Sequence, residues 1–273
     1  MDAILVPVDF STTSMNAAAY ALGYAKQTGE KVILLHAYEP PVMYPVYQGA
    51  EISPEGLREI NKKELKLLAA QLAEKEPLVK VEYLLFEGGL VDFTTKVLET
   101  VPVSLVIMGL TGKGKIEEKL IGSNTLSVSK NISAPVLIIP ENAVYNTIND
   151  IGLTTDFREV VETIPEKTVR KVLDQTKAKL HVLNVDFNNR HWTNEVPFQS
   201  GLVETMFQQY HPHYHFIDNP DMVHGLNEYA EKFGIELLIV IPHKHNILEK
   251  IFAGSHTKEL LFHSEVPVMV MHE

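Results

Sequence analysis

The fold of this chain is decided by the stretch SLVIMGLTGKGKIEEKLIGSNTLSVSKNISAPVLIIP, residues 104–140. It opens with a short, branched apolar run, Leu105–Met108, which predicts a buried strand. A loop with three glycines follows (Gly109, Gly112 and Gly114), Gly122 and Ser123 open a predicted helix, and a second buried strand, Val136–Ile139, closes the unit. Glycines let backbone N–H groups approach a phosphate closely, and a helix start adds unpaired donors. The unit therefore predicts an anion-binding cradle.

Apolar strands alternate with helical segments throughout the first half of the chain. The predicted strands are Ala3–Val8, Val32–Leu35, Val79–Phe86, Leu105–Met108 and Val136–Ile139. This alternation predicts a parallel sheet with helices on both faces, in which ligands bind outside the carboxyl ends of the strands. The residues expected to converge there are Asp9, His36–Ala37, Glu87–Gly88 and Gly109.

The pattern starts again after Asn142, so the chain contains an internal repeat. Asp156-Phe157 repeats Asp9-Phe10, Leu180–Val185 repeats Val32–Ala37, Leu237–Ile241 repeats Leu105–Met108, and Gly254-Ser255 repeats Gly122-Ser123. We predict an α/β fold of two tandem doubly wound parallel five-stranded sheets, Rossmann-like, paired as an internal pseudo-dimer. The expected domains are residues 1–143 and 149–273, with the boundary in the polar stretch 141–149.

The two copies differ at the glycine loop. Where the first copy has Gly109 and Gly112, the second has Pro242 and His245. Proline lacks an N–H, and histidine adds bulk where a backbone would approach a phosphate. The second cradle is therefore predicted to be degraded.

Composition excludes several classes of function. The formal charge of −11 argues against general nucleic-acid binding, which needs a basic surface. The sequence contains no apolar run of about 20 residues, so no membrane span is expected. Because there is no cysteine, disulfides and thiolate chemistry are excluded, which fits a cytoplasmic protein.

The glycine spacing resembles that of the universal stress protein family, and the resemblance covers essentially the whole chain. ATP-binding members carry Gly-x2-Gly-x9-Gly-Ser/Thr, which here reads Gly109, Gly112, Gly122 and Ser123. The flanking segments PVDFS and APVLIIP match as well. The resemblance implies an adenine-nucleotide alpha hydrolase-like fold and ATP, with or without Mg²⁺, as the bound cofactor.

The resemblance also implies which residues meet the nucleotide. Asp9 matches the family's aspartate near the nucleoside, and Ala37 matches the position whose backbone meets the adenine. The full set is Pro7, Val8, Asp9, Ala37, Met108, Gly109, Gly112, Gly114, Gly122, Ser123, Asn124 and Thr125. In the second half only Asp156, Gly254 and Ser255 survive, so that half is expected to be mainly structural or to serve interaction.

Family members pair through their last strand, which a tandem chain can do internally. The candidate segments are Ala134–Pro140 and Val266–Met271. The resemblance further implies a homodimer or a larger homo-oligomer of the whole chain and a role in the stress response, with protein partners unnamed.

Two alternatives remain open at this point. One is a weak ATPase or autokinase at the same site, although no catalytic constellation and no Walker lysine motif can be placed. The other is a scaffold or small-ligand carrier with a histidine-rich second half. All but one of the 12 histidines follow residue 150, and the candidate metal ligands are His213, His215, His243 and His245. Lys113 and Lys115 either screen phosphate charge or are simply solvated.

Overall fold

The computed structural model describes residues 2–39, 53–110, 123–190, 192–242, 260 and 263–272. Its strands are β1 (Ala3–Pro7), β2 (Lys31–Tyr38), β3 (Val81–Glu87), β4 (Val103–Leu110), β5 (Val136–Pro140), β6 (Asp150–Thr154), β7 (Lys179–Val185), β8 (His213–Ile217), β9 (Leu237–Val240) and β10 (Val268–Val270). Its helices are α1 (Thr12–Thr28), α2 (Pro54–Lys75), α3 (Leu90–Thr100), α4 (Ser123–Asn131), α5 (Val160–Thr163), α6 (Glu166–Thr176), α7 (Val196–Phe207) and α8 (Met222–Phe233). None of these helices combines the length and apolarity needed to cross a membrane.

The ten strands form one sheet in the order β3-β2-β1-β4-β5-β10-β9-β6-β7-β8. Read outward from the centre, each half has the same strand order. Neighbouring strands within each half are parallel, whereas β5 and β10 meet antiparallel, with Ile138 opposite Val268 and Val136 opposite Val270. The predicted fold class and the predicted pairing of the two last strands are therefore confirmed.

Apolar side chains on both faces of the strands explain why the sheet is covered on both sides. In β1, Ile4 and Val6 belong to one core layer, while Ala3 and Leu5 belong to the other. The first layer includes residues from α1, α2, α6 and α7, and the second includes residues from α3, α4 and α8. Each layer extends over both halves, which is consistent with near-continuous apolar strands buried on both faces.

Four strands run further at their carboxyl ends than the sequence predicts: β2 by three residues, β4 by two, and β3 and β5 by one each. β2 continues to Tyr38 because Ala37 and Tyr38 still pair with β3, and β4 continues to Leu110 because Gly109 pairs with Ile139 of β5. His36, Ala37, Glu87 and Gly109 therefore lie inside strands, at or near their carboxyl ends, rather than after them. The prediction that they follow the strands is wrong by one to three residues. Most of the predicted surface loop from Glu39 to Pro54 lies outside the described residues.

Residues 141–149 connect the two halves and pack against α1. The Tyr145 ring occupies the space that a side chain on Gly23 would need, since a Cβ there would lie 2.2 Å from the ring. Gln27 accepts hydrogen bonds from Tyr145 Oη and from the Ile148 N–H, and its Nε2 donates to the carbonyl oxygens of Ile148 and Thr176. One side chain of the first half thus binds both the connection and the carboxyl end of α6 in the second half.

Candidate functional site

Asp9 lies just past β1, at the carboxyl edge of the first half of the sheet, and its side chain is exposed. Its Oδ1 accepts hydrogen bonds from the Ser11 N–H at 3.0 Å and from Ser11 Oγ at 2.5 Å. Partial burial acts to raise the pKa of the Asp9 carboxyl. The hydrogen bonds from Ser11 and Ser14 outweigh that effect and lower it below its ordinary value of 3.8. The carboxylate is therefore ionised at neutral pH.

The turn after Asp9 is strained in the same way in both halves. Phe10 has φ of 62° and its counterpart Phe157 has φ of 55°, a left-handed conformation that bulky residues rarely adopt. Such strain persists only where the surroundings impose it, and it is common at functional sites. The repeated outlier marks Asp9-Phe10 and Asp156-Phe157 as structural equivalents.

A buried side chain holds this turn to the neighbouring strand. His36 Nδ1 lies 2.7 Å from the Val8 carbonyl oxygen, so Nδ1 carries the proton and donates it. In the second half, Asn184 Nδ2 donates to the Thr155 carbonyl oxygen at 2.9 Å. The strand registers make Asn184 the counterpart of His36. Sequence reasoning missed this link because the two side chains differ in type.

Gly109 lies at a close approach of α1 to β4. A Cβ at Gly109 would lie 2.4 Å from the carbonyl oxygen of Thr13, near the start of α1. The Gly109 carbonyl oxygen accepts a hydrogen bond from Thr125 Oγ1 at 2.9 Å, and the Thr125 side chain is buried. Gly109 and Thr125 thus serve the packing of α1, β4 and α4 against one another.

The other residues predicted to contact the nucleotide differ in whether their side chains are buried or exposed. Pro7, Val8 and Met108 are buried, so their backbones rather than their side chains are the groups available at this edge. Asn124 is exposed in the first turn of α4, which begins at Ser123. Gly112, Lys113, Gly114, Lys115 and Gly122 lie outside the described residues.

The second half has Ile241, not Pro242, at the position of Gly109. Leu5 of β1 pairs with Val106, and its counterpart Gly152 of β6 pairs with Leu238, so the registers shift the sequence-based match by one residue. The match of Gly109 to Pro242 is wrong because the apolar run Leu237–Ile241 is one residue longer than Leu105–Met108. His245, Gly254 and Ser255 lie outside the described residues.

An open cleft lies at the carboxyl ends of β6, β7 and β9. It encloses about 720 Å³. After β6 the chain forms the four-residue α5, which starts at Val160, before α6 begins. In the first half, by contrast, the 17-residue α1 starts directly after the turn that follows β1. The described residues that line the cleft are Thr154, Thr155, Asp156, Arg158, Leu183, Asn184, Val185, Asp186, Phe187, Arg190, Trp192, Val196, Asn219, Pro220, Met222, Leu226, Val240, Ile241 and Leu260.

The histidines of β8 stack in an aromatic cluster. The His215 ring centroid lies 5.6 Å from that of His181 and 4.8 Å from that of Tyr229. His181 Nε2 contacts Asp150 Oδ1 at 2.8 Å. Burial, together with the charges of His181 and His213, lowers the pKa of His215 below its ordinary value of 6.5.

The described residues contain no group of three or more His, Asp or Glu side chains placed to hold a metal ion. His243 and His245, the other two candidate ligands, lie outside those residues. His211 precedes β8, so it is not part of the strand that carries His213 and His215.

The tandem, mostly parallel sheet with helices on both faces defines an α/β class of protein with two Rossmann-like halves. A model of the "Universal stress protein family" matches residues 1–140 and again 159–272, so the chain belongs to that family. It is 32% identical over 138 residues to universal stress protein MJ0531 of Methanocaldococcus jannaschii, covering 50% of this chain and 80% of that protein.

Two solved structures share the fold over nearly the full chain. A universal stress protein from Archaeoglobus fulgidus has a TM-score of 0.71 at 18% identity, covering 99% of this chain and 98% of that one. A functionally unknown protein, PA1789 of Pseudomonas aeruginosa, has a TM-score of 0.61 at 14% identity, covering 100% and 92%. At these identities the likeness concerns the fold alone.

Proposed function

We propose that the protein is an ATP-binding regulatory protein of the stress response. Its first domain, residues 1–143, holds the nucleotide, and its second domain, residues 149–273, is structural or serves interaction. The observation that carries this proposal is the exposed, ionised Asp9 at the carboxyl edge of β1, beside the ends of β2 and β4. Ligands of doubly wound sheets bind at this edge.

The groups at this edge suit the parts of a nucleotide. The Asp9 carboxylate can accept the hydroxyl protons of a ribose, and Ala37 near the end of β2 leaves its backbone accessible to a flat base. The first turn of α4, with Ser123 and Asn124, brings unpaired N–H groups and the positive end of a helix dipole to the same side of β4. The sequence places Gly112, Gly114 and Gly122 in the loop between these elements.

The proposal is tested by calorimetric titration of the purified chain with ATP, in the presence and absence of Mg²⁺. We expect Asp9→Ala and Gly122→Val each to weaken ATP binding at least tenfold, a loss of about 1.4 kcal/mol. Asp156→Ala is the matched control because it removes the equivalent carboxylate of the second half. Unchanged ATP affinity in both Asp9→Ala and Gly122→Val would refute the proposal.

The same protein decides between a binding module and the alternative, a weak ATPase or autokinase. A binding module releases phosphate from ATP no faster than the buffer does. Phosphate release well above background that Ser123→Ala abolishes would assign the site to catalysis instead.

The proposal includes a cytoplasmic location and a homodimer or larger homo-oligomer of the whole chain. The cysteine-free sequence supports the location, because such a protein gains nothing from an oxidising compartment. Light scattering of the purified chain tests the assembly, and a mass of one chain at micromolar concentration would contradict it.

A further inference from the structure

The open cleft of the second half has the size of a small-molecule site. Its volume of about 720 Å³ falls within the range of roughly 300–1,000 Å³ typical of such sites. It lies at the carboxyl ends of parallel strands, where ligands of this class of sheet bind. The location and the volume of the cleft are therefore both suited to a small-molecule ligand.

The floor of the cleft is unsuited to a phosphate. Ile241 replaces the glycine of the first half, so a branched side chain stands at the end of the β9 strand. No glycine is among the described residues that line the cleft. The close backbone approach that phosphates need is therefore blocked along the described wall.

The walls are apolar and aromatic instead. Leu183, Val196 and Leu226 supply aliphatic surface, and the rings of Phe187 and Trp192 also face the cleft. Trp192 is 46% exposed and meets Phe216 edge to face, with ring centroids 5.6 Å apart. A half-exposed indole supported by a second ring can cover a flat apolar body.

Two arginines add positive charge to this apolar site. The Arg158 side chain is 61% exposed and forms a long ion pair with Asp156, in which Nε lies 3.8 Å from Oδ2 and is too far for a hydrogen bond. The guanidinium of Arg190 lies over the Phe187 ring, 5.1 Å from its centroid. Asp156 is the ion-pair partner of Arg158, and both Asp156 and Asp186 have interactions within the protein.

We propose that this cleft binds a small aromatic carboxylate. The ring of the ligand lies against Trp192 and the aliphatic wall, and its carboxylate pairs with Arg158 at the mouth. A guanidinium binds a carboxylate through two parallel hydrogen bonds, which a neutral amide cannot reproduce. This site goes beyond the nucleotide proposal, because it uses the other half of the chain and a different chemistry.

Trp192 makes the proposal directly measurable because it is the only tryptophan of the chain. The probe is 3-phenylpropionate, which does not absorb where tryptophan is excited selectively, and its uncharged counterpart is 3-phenylpropionamide. We expect 3-phenylpropionate to change Trp192 emission saturably and to bind about tenfold more tightly than the amide. ATP at the same concentrations should not displace it.

Arg158→Gln should reduce the affinity for 3-phenylpropionate to that for the amide while leaving amide binding unchanged. Lys167→Gln is the matched control, since it removes one positive charge from an exposed position on α6 of the same half. Circular dichroism and the melting temperature of each variant check that the fold is kept. The amide titration on Arg158→Gln separates a lost carboxylate contact from a damaged cleft.

Equal affinity for acid and amide, displacement of the acid by ATP, or no saturable change in Trp192 emission would each overturn the proposal. So would an Arg158→Gln variant that binds the acid as the wild type does. None of these results bears on ATP binding by Asp9→Ala or Gly122→Val, so the two proposals fail separately.

Discussion

The two halves of the sheet share the same strained turn after their first strand, yet the chain continues differently from it. In the first half α1 starts directly after the turn, whereas in the second half an open cleft lies at the strand ends. Asp9-Phe10 and Asp156-Phe157 share the acidic residue and the positive φ at phenylalanine. Each turn is held to the next strand by a buried side chain, His36 in one half and Asn184 in the other. Conserving the turn therefore does not require conserving the residue that supports it.

The two halves differ in structure at the end of their fourth strands, β4 and β9. In the first half α1 starts at Thr12 and its backbone touches Gly109, whereas Ile241 in the second half carries a Cβ at that position. The chain there makes only the short α5 before α6 begins. The two halves therefore differ both in the residue at this strand end and in how the first helix begins.

Replacing Gly109 should give the largest effect on stability. In Gly109→Val the new Cβ would lie 2.4 Å from the Thr13 carbonyl oxygen, so α1 must shift. We expect a loss of about 3 kcal/mol in the free energy of unfolding, measured by denaturant titration. Ile241→Val, the corresponding change in the open half, should cost only about 1 kcal/mol. Equal losses in the two variants would show that the two strand ends are packed alike.

Breaking the turn supports comes next. His36→Leu leaves the buried Val8 carbonyl oxygen without its donor, and Asn184→Leu does the same to that of Thr155. Each should lower the free energy of unfolding by about 2 kcal/mol. His36→Asn, which installs the second half's solution in the first, should lose less than His36→Leu. If His36→Asn and His36→Leu are equally destabilised, the two supports are not interchangeable.

Substitutions at the C-caps of α1 and α6 should change the stability by a smaller amount and in opposite directions. Both C-caps are left-handed, but α1 uses Gly29 and α6 uses Lys177, at φ of 59°. Lys177→Gly should therefore stabilise the protein by about 1 kcal/mol, and Gly29→Ala should destabilise it by a similar amount. No atom lies within 4 Å of a Cβ on Gly29, so the effect is one of backbone conformation alone. A melting-temperature change of the same sign in both variants would contradict this.

The smallest effect is a pH dependence confined to the second half. His215 stands where the first half has Leu84, and its pKa is lowered in the folded state by burial and by His181 and His213. Its contribution is therefore complete above about pH 6.5 and is lost as the pH falls below that value.

His215→Leu should accordingly flatten the fall in unfolding free energy between about pH 7 and pH 5 relative to the wild type. His211→Asn is the control, because His211 is exposed and asparagine tolerates its left-handed backbone. A slope that His215→Leu leaves unchanged would mean that other groups carry the pH response.

The sequence was sufficient to predict the sheet and its duplication, because strands buried on both faces are continuous apolar runs. It was insufficient at the strand ends. Gly109 and Pro242 each follow an apolar run, but the second run is one residue longer, and only the pairing of β6 with β9 shows that Ile241 is the counterpart of Gly109. The equivalence of His36 and Asn184 was hidden because two different side chains make the same hydrogen bond.

The candidate site was also predictable only in part. Asp9 follows an apolar strand and could be placed at the edge from the pattern alone. The second-half cleft could not be predicted from the pattern. It depends on where α5 begins after β6 and on the side chain of Ile241 at the end of β9. The four candidate metal ligands were chosen for their spacing, which says nothing of the ring stacking between His215, His181 and Tyr229.

The central claim is that the two halves have the same fold but only the first binds ATP. Calorimetric titration of the intact chain with ATP tests this most directly. We predict one ATP per chain, lost in Asp9→Ala and kept in Asp156→Ala. Two ATP molecules per chain, or a single site that Asp156→Ala removes and Asp9→Ala does not, would contradict the claim.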